Sequence, residues 1–498
     1  MSESLTAGAQ SGFRRTLGTP KVVFMVVAAV APLAAMVGTV PLAFVIGNGA
    51  GVPAMFVFAG LTLLCFSVGY AAMSRRIVNA GGFYSYLSGG LGRPLAVGGG
   101  LVAALAYNAM TIGLVGAFAY FANLIGSSFG LTLPWQLWAA FAVVAVAVLG
   151  YRRIDLSAKV LAVLMAAEVA ILVLLDIAVV IRNGGAALPS ASFDPSVVLG
   201  AGIGVSLMFA LISFIGFESA ALYGEEARNP KRTVPMATYI SVLLIGSFYA
   251  LTSWIAVGAV GVDSLVETAG AQMGGLFIGL TDDYLGATIT ITMQILLCTS
   301  LFAGVLAMHG AANRYLFVLG RDRVLPAGLA AVHPRHASPS RASLTQSAIT
   351  VVVVGIFAAA GLDPYLNLST TMVGLGTIGI VALQALAALS VIGFFRTRPD
   401  RHWWRTALAP GLGFLGLATS VVLILGNFEL LTGSASPLIN SLPWLLLVTG
   451  VAGIGYGLWI RAKRPERYAA LADVSRRDVE LVSVPTGPAA DATEHKAA

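Results

Sequence analysis

Charge is what this chain has least of. Asp, Glu, Lys and Arg make up 10% of its 498 residues, against about 25% in soluble domains. That deficit excludes a soluble enzyme. Cysteine is nearly absent too. Cys65 and Cys298 both sit in apolar runs without metal-ligand spacing, which argues against a disulfide framework. No phosphate-cradling glycine loop, HExxH pair or catalytic-triad spacing occurs, which argues against an ATP-driven pump or a membrane protease. No cofactor, resident metal or nucleic-acid partner is expected. Residues 1–20 are polar, with Arg14 and Arg15, and no small-residue cleavage site follows a short apolar core, so no cleavable signal peptide is expected.

What is present is apolar sequence. Hydrophobic residues make up 58% of the chain and the mean hydropathy is +0.88. The class is an all-α, multi-pass membrane protein whose first partner is the lipid bilayer. A span needs about 20 apolar residues. Twelve runs qualify: 22–46, 53–73, 94–122, 135–150, 157–181, 197–223, 235–260, 285–311, 345–362, 371–394, 408–428 and 442–460. The net charge of +7 then reports orientation. Alternate loops hold Arg75, Arg76 and Arg93; Arg152, Arg153 and Lys159; Arg228, Lys231 and Arg232; Arg314, Arg321, Arg323, Arg335 and Arg341; Arg396, Arg398, Arg401 and Arg405. The other loops hold Asp194, Asp263, Glu267, Asp282, Asp283, Asp363 and Glu429, with Arg182 as their one basic residue. Basic residues collect on the cytoplasmic side, so both termini are expected there. The organisation expected is a cytoplasmic segment 1–20, a ten-span core 21–395, two further spans in 396–462 and a disordered tail 463–498. Residues 261–284 are expected to form an amphipathic surface helix, and the loop within 312–344 a Pro- and Ser-rich linker.

Two spans are interrupted. Span 6 carries Ser213-Phe214-Ile215-Gly216 and then Glu218 inside its apolar zone. Span 1 carries Ala31-Pro32-Leu33-Ala34-Ala35-Met36-Val37-Gly38-Thr39-Val40-Pro41. In hydrocarbon, broken backbone is tolerated only where protein encloses it or it lines a cavity. Paired interruptions five spans apart point to a transport site between two inverted halves. Residues 33–39 and 213–217 are expected to be unwound and to face each other, with Ala35, Met36, Val37, Gly38 and Thr39 as substrate-binding candidates and N–H groups from Gly38 onward free to bind an anion. The carbonyls of Leu211, Ile212 and Ser213 are expected to be free to accept from an ammonium. A zwitterionic amino acid fits that division, and the same carbonyls suit a bare amine or a sodium ion. Phe214, Gly216, Phe217, Tyr107, Asn108 and Gln294 are the candidates for the rest of the substrate pocket.

Three acids lie within spans: Glu168, Asp176 and Glu218. A charge at a helix centre costs about 2.5–3.5 kcal/mol on insertion scales, so each needs a reason. A carboxyl that gains and loses a proton as its access to solvent changes is what proton coupling requires. Glu218 is the first candidate and Glu168 the second, while Asp176 reads as structural. Thr299 and Ser300 form a hydroxyl pair suited to completing a sodium site, and His309 is expected at an inner gate.

The run Phe214-Ile215-Gly216-Phe217-Glu218-Ser219, followed by Glu225-Glu226-Ala227-Arg228-Asn229-Pro230-Lys231-Arg232, resembles the span-6 signature of the amino acid–polyamine–organocation transporter family. RRIVNAGGFYSY, from Arg75, and NRYLFVLGRDRVLP, from Asn313, resemble its segments after spans 2 and 8. The resemblance covers residues 20–430. It implies a LeuT-type fold of two inverted five-helix repeats plus two C-terminal helices. Substrate would sit at the midplane between spans 1 and 6, walled by spans 3, 8 and 10. It also implies a bacterial inner-membrane importer of amino acids that works by alternating access with protons, and not an enzyme. A polyamine carrier, an exchanger and a sodium-coupled carrier are the rivals within the family; a channel or sensor is the rival outside it. Two departures stand out. The family's Gly-Ser/Thr-Gly motif is replaced by Met36-Val37-Gly38. A span-5 lysine of sodium-independent members is replaced by Glu168.

Overall fold

The computed structural model describes residues 17–77, 82–152, 158–218, 227–336 and 338–471. Residues 1–16 and 472–498, and Arg153, Ser219, Glu225 and Glu226, for which the sequence carries expectations, lie outside the described residues. Eleven described segments are long and apolar enough to cross a membrane, and a shorter apolar helix, Ile203–Ile212, opens a twelfth.

The first span is two helices, α1 (Thr19–Val30) and α2 (Pro32–Ile46). Next come α3 (Val52–Ser74), a short, largely buried helix α4 (Phe83–Leu91), α5 (Arg93–Ser128), α6 (Trp135–Arg152) and α7 (Ala158–Asn183). A single turn, α8 (Pro195–Val198), precedes α9 (Ile203–Ile212). The seventh span is α10 (Pro230–Val260). The loop after it folds as two helices rather than one, α11 (Leu265–Gln272) and α12 (Leu276–Leu285). The remaining spans are α13 (Ala287–Arg321), α14 (Ser340–Ala359), α15 (Thr370–Phe395), α16 (Ala409–Gly426) and α19 (Leu442–Lys463). Short helices α17 (Phe428–Thr432), α18 (Pro437–Asn440) and α20 (Pro465–Ala470) fill the last connections.

Span boundaries differ from expectation at polar residues. Span 8 runs on to Arg321, with Asn313 and Tyr315 buried against neighbouring helices and Arg314 exposed. Span 6 starts at Ile203, not 197, because Gly202 takes a left-handed conformation at φ 78°.

Helices α5 and α13 are the long members, about 54 and 52 Å at 1.5 Å per residue. They pack on each other, and α5 also receives α15 and α19. Equivalent elements of the two halves pair: α3 with α10, α5 with α13, α6 with α14. The centre of the bundle holds α2 and α15, which are apolar all round and largely buried. Outer helices keep apolar residues exposed, such as Phe141, Leu415 and Val448, as a lipid-facing surface requires. One end of the bundle carries Arg75, Arg76, Arg152, Arg323 and Arg398, and the other Asp194, Asp263, Asp283 and Asp363. These are called the basic and acidic ends below.

Candidate functional site

The break in span 1 lies at Ala31, not within 33–39. Ala31 takes φ 52°, ψ 72°, and α2 then runs unbroken through Met36, Val37 and Gly38 to Ile46. The cause is Pro32. A proline disfavours the helical conformation of the residue before it and suits the first position of a new helix. The free N–H groups therefore move to the first turn of α2. Pro32 has none, and Ala35 donates to the carbonyl of Ala31 at 3.0 Å. The Leu33 N–H faces the carboxylate of Glu168. Glu168, reaching across from α7, lies at the start of α2 and accepts from the Ser300 hydroxyl at 2.8 Å. Thr299, beside it, bonds Leu296 in its own helix at 2.9 Å, so the hydroxyl pair is split.

The break in span 6 follows Ile212. Phe214 and Ile215 donate to the carbonyls of Leu211 and Ile212 at 3.1 and 2.9 Å, so these two carbonyls are occupied by a tight turn rather than free. Gly216 takes φ 117°, which favours glycine. Its N–H donates to Glu218 Oε2 at 3.0 Å, while Tyr107 donates to Oε1 at 3.0 Å. Each broken span thus has a carboxylate beside its break.

Between the breaks lies a cavity of about 90 Å³, room for several waters or a small organic solute. Span 1 contributes Ala31, Ala34, Ala35, Gly38, Thr39 and Leu42. Span 6 contributes Phe209, Ile212, Ser213 and Ile215. The remaining wall comes from Met110, Leu114 and Ala117 of α5, Ser300, Leu301, Gly304 and Met308 of α13, and Ser369, Thr370 and Val373 of the tenth span. Thr39 and Ser213 hydroxyls meet at 3.3 Å and join the two broken spans.

Five of the candidate pocket residues line this space: Ala35, Gly38, Thr39, Ile212 and Ser213. The others lie elsewhere. Met36, Val37 and Leu211 are buried in the core. Phe214 points between α3 and α10, with its ring against Gly60, Gly246 and Tyr249. Phe217 packs edge-on against Phe66. Asn108 bonds the Ala104 carbonyl of its own helix at 2.7 Å. Gln294 sits two turns from Leu301, outside the cavity wall. Tyr107 is one turn from Met110 on the same helix face, and its hydroxyl goes to Glu218 instead of the cavity.

Aromatic contacts flank the site toward each end of the bundle, outside the cavity's own lining. Toward the acidic end, Tyr120 stacks on Tyr365 with ring centres 4.5 Å apart, Phe121 closes edge-on, and the Tyr365 hydroxyl donates to the Gly38 carbonyl at 3.2 Å. Toward the basic end, Tyr107 stacks on Tyr315 at 5.3 Å, and Phe83 N–H donates to the Tyr315 hydroxyl at 3.3 Å. The Tyr70 hydroxyl reaches the backbone carbonyl of Glu218 at 3.4 Å. Below them, Arg228 N–H donates to the Leu17 carbonyl at 2.9 Å, tying the start of α1 to the segment after span 6. His309 is not part of these contacts. It bonds Ser343 at 2.8 Å and also Gln346, joining α13 to α14. Asp176 accepts from Thr252 at 2.7 Å and joins α7 to α10.

A family profile described as "Amino acid permease" matches residues 17–453. The chain belongs to the amino acid permease family. An uncharacterised transporter of Mycobacterium bovis is 27% identical over 303 residues, 58% of this chain. The chain spans 63% of that relative's length, just under two thirds. The branched-chain amino acid permease BcaP of Bacillus subtilis is 27% identical over 429 residues, 80% of this chain and 84% of the relative. Among solved structures, MhsT in complex with L-phenylalanine superposes with a TM-score of 0.54 at 16% identity, covering 82% of this chain and 98% of that one. The fold is accordingly LeuT-type, with α1 to α7 and α9 to α15 as the two inverted repeats of this permease-family chain and α16 and α19 as the added pair.

The sequence reading missed the side-chain rows Met110-Leu114-Ala117 and Leu301-Gly304-Met308. Their 3–4 residue spacing marks a helix face, but in an all-apolar helix nothing distinguishes the cavity face from the lipid face.

Proposed function

We propose that this protein imports amino acids with uncharged side chains across the bacterial inner membrane, by alternating access and with a proton as the coupling ion. One observation carries the reading. The cavity lies between two broken spans, and a carboxylate sits at each break, buried for Glu168 and part-buried for Glu218, where it accepts from a backbone N–H. The Ala34 N–H at the start of α2 is left for a substrate carboxylate, and the hydroxyls of Thr39, Ser213 and Ser300 offer partners to an ammonium. Met110, Leu114, Phe209, Leu301, Met308 and Val373 supply an apolar wall for the side chain. Among the described residues no charged side chain lines the cavity, which disfavours a polyamine. The branched-chain permease among the relatives supports the same substrate class.

Glu218 is the proposed coupling group. Ionised, it accepts from Gly216, Tyr107 and its own N–H. A proton placed on Oε2 faces the Gly216 N–H donor to donor, so protonation loosens the contacts toward the basic end. A second reading is favoured by Glu168 and Ser300. A carboxylate and a hydroxyl together at the span-1 break also suit a sodium ion.

Reconstitution in liposomes separates these readings. Labelled leucine, lysine and putrescine are offered under a proton gradient, a sodium gradient or neither. Proton-driven leucine uptake, with no putrescine uptake, is expected. Sodium-driven uptake that ignores the proton gradient would transfer the coupling role to Glu168 and Ser300.

A further inference from the structure

At the basic end, a pocket of about 640 Å³ lies where α13 ends and α19 turns into α20. Its lining includes Arg321, Arg323, Lys463, Arg464 and Arg467, against two carboxylates, Asp322 and Glu466. Asp322 is already engaged by Arg321 at 3.8 Å and by the Tyr84 hydroxyl at 2.8 Å. Arg467 is held in place, donating to the Tyr456 hydroxyl at 3.1 Å and to the Arg323 carbonyl. Arg323, Lys463 and Arg464 make no ion pair among the described residues. Three unpaired cations converging on one concave space are a site for a polyanionic group, because their mutual repulsion falls when an anion enters.

We infer that this pocket holds the head group of an anionic phospholipid. The neighbouring surface supports a lipid over a free anion. Tyr456 stacks on Trp459 at 5.8 Å beside Arg467, and paired aromatic rings of this kind belong at the head-group level of a bilayer. Above them α19 exposes Trp444, Leu447, Val448, Val451 and Leu458, an apolar face along which acyl chains lie. Basic pockets between span ends recognise such head groups by charge. The site is remote from the substrate cavity and does not depend on what that cavity carries.

Thermal unfolding of the purified full-length protein in a neutral detergent tests the assignment. Dioleoyl-phosphatidylglycerol, dioleoyl-phosphatidylcholine and inorganic phosphate are titrated separately. Phosphatidylglycerol is expected to raise the Tm saturably, and the other two are not. The variant R323Q/R464Q removes two exposed side chains without ion-pair partners, and R464Q alone serves if the pair does not fold. The double variant is expected to weaken the phosphatidylglycerol midpoint on the order of 10–30-fold. R335Q, which removes an exposed cation elsewhere on the same end, is expected to leave it unchanged. Equal stabilisation by phosphatidylcholine, or an equal midpoint for R323Q/R464Q and R335Q, overturns the site. Saturation by phosphate alone overturns the lipid assignment. So does the absence of any shift.

Discussion

Glu218 holds two donors that a protonated acid does not hold equally well, the rigid backbone N–H of Gly216 and the rotatable hydroxyl of Tyr107. The hydroxyl can turn to accept; the N–H cannot. Tyr107→Phe removes the rotatable partner from a charged acceptor. The expected cost is about 1.5–3 kcal/mol of stability, read by denaturant unfolding in lipid nanodiscs. In the Glu218→Gln background the same change should cost less, because the link there is neutral. Equal costs in both backgrounds would remove Tyr107 from any role in the contacts toward the basic end. Glu168 is tested in the same way. Glu168→Gln keeps an acceptor for Leu33 and Ser300, whereas Glu168→Ala strips both. The alanine variant should be the less stable of the two by about 1–3 kcal/mol.

At the scale of elements, the two broken spans meet through glycine. A Cβ on Gly202 would lie 2.6 Å from the Gly47 carbonyl carbon, and one on Gly47 would lie 2.1 Å from Ser206 Oγ. Gly202 also sits at φ 78°, where other residues pay about 1–2 kcal/mol. Gly202→Ala should therefore lower the folded yield seen by fluorescence-detected size exclusion. Gly270→Ala, on α11 with nothing within 4 Å of its Cβ, should leave that yield unchanged or raise it. The elements themselves were legible because apolar run length and loop charge are strong, additive signals. The positions of the breaks were less so. Ala31-Pro32 carried the right signal, a residue forced out of the helix by the proline after it, yet Gly38 drew attention as the more flexible residue. Gly38 stays helical because its neighbours satisfy their backbone within α2. The candidate site was legible where a residue sits at an interruption, as at Ser213, which lines the cavity. It was not where direction decided the matter, as with Phe214 and Phe217, which turn into the core.

For the whole molecule, the account requires one orientation and two access states. Exposed Ser264 lies at the acidic end and exposed Arg335 at the basic end. In intact cells a membrane-impermeant maleimide should label Ser264→Cys and spare Arg335→Cys until the cells are lysed. The reverse pattern would invert the proposed topology. The aromatic stacks toward the two ends, Tyr120 with Tyr365 and Tyr107 with Tyr315, are the contacts that the proposed alternating access would release one at a time. The measurement that bears most directly on this is leucine uptake into proteoliposomes with and without an imposed inside-alkaline pH gradient, for wild type and Glu218→Gln. The account predicts uptake accelerated by the gradient in wild type. In Glu218→Gln, leucine exchange should persist without a response to the gradient. A gradient response of equal size in the two proteins would contradict it.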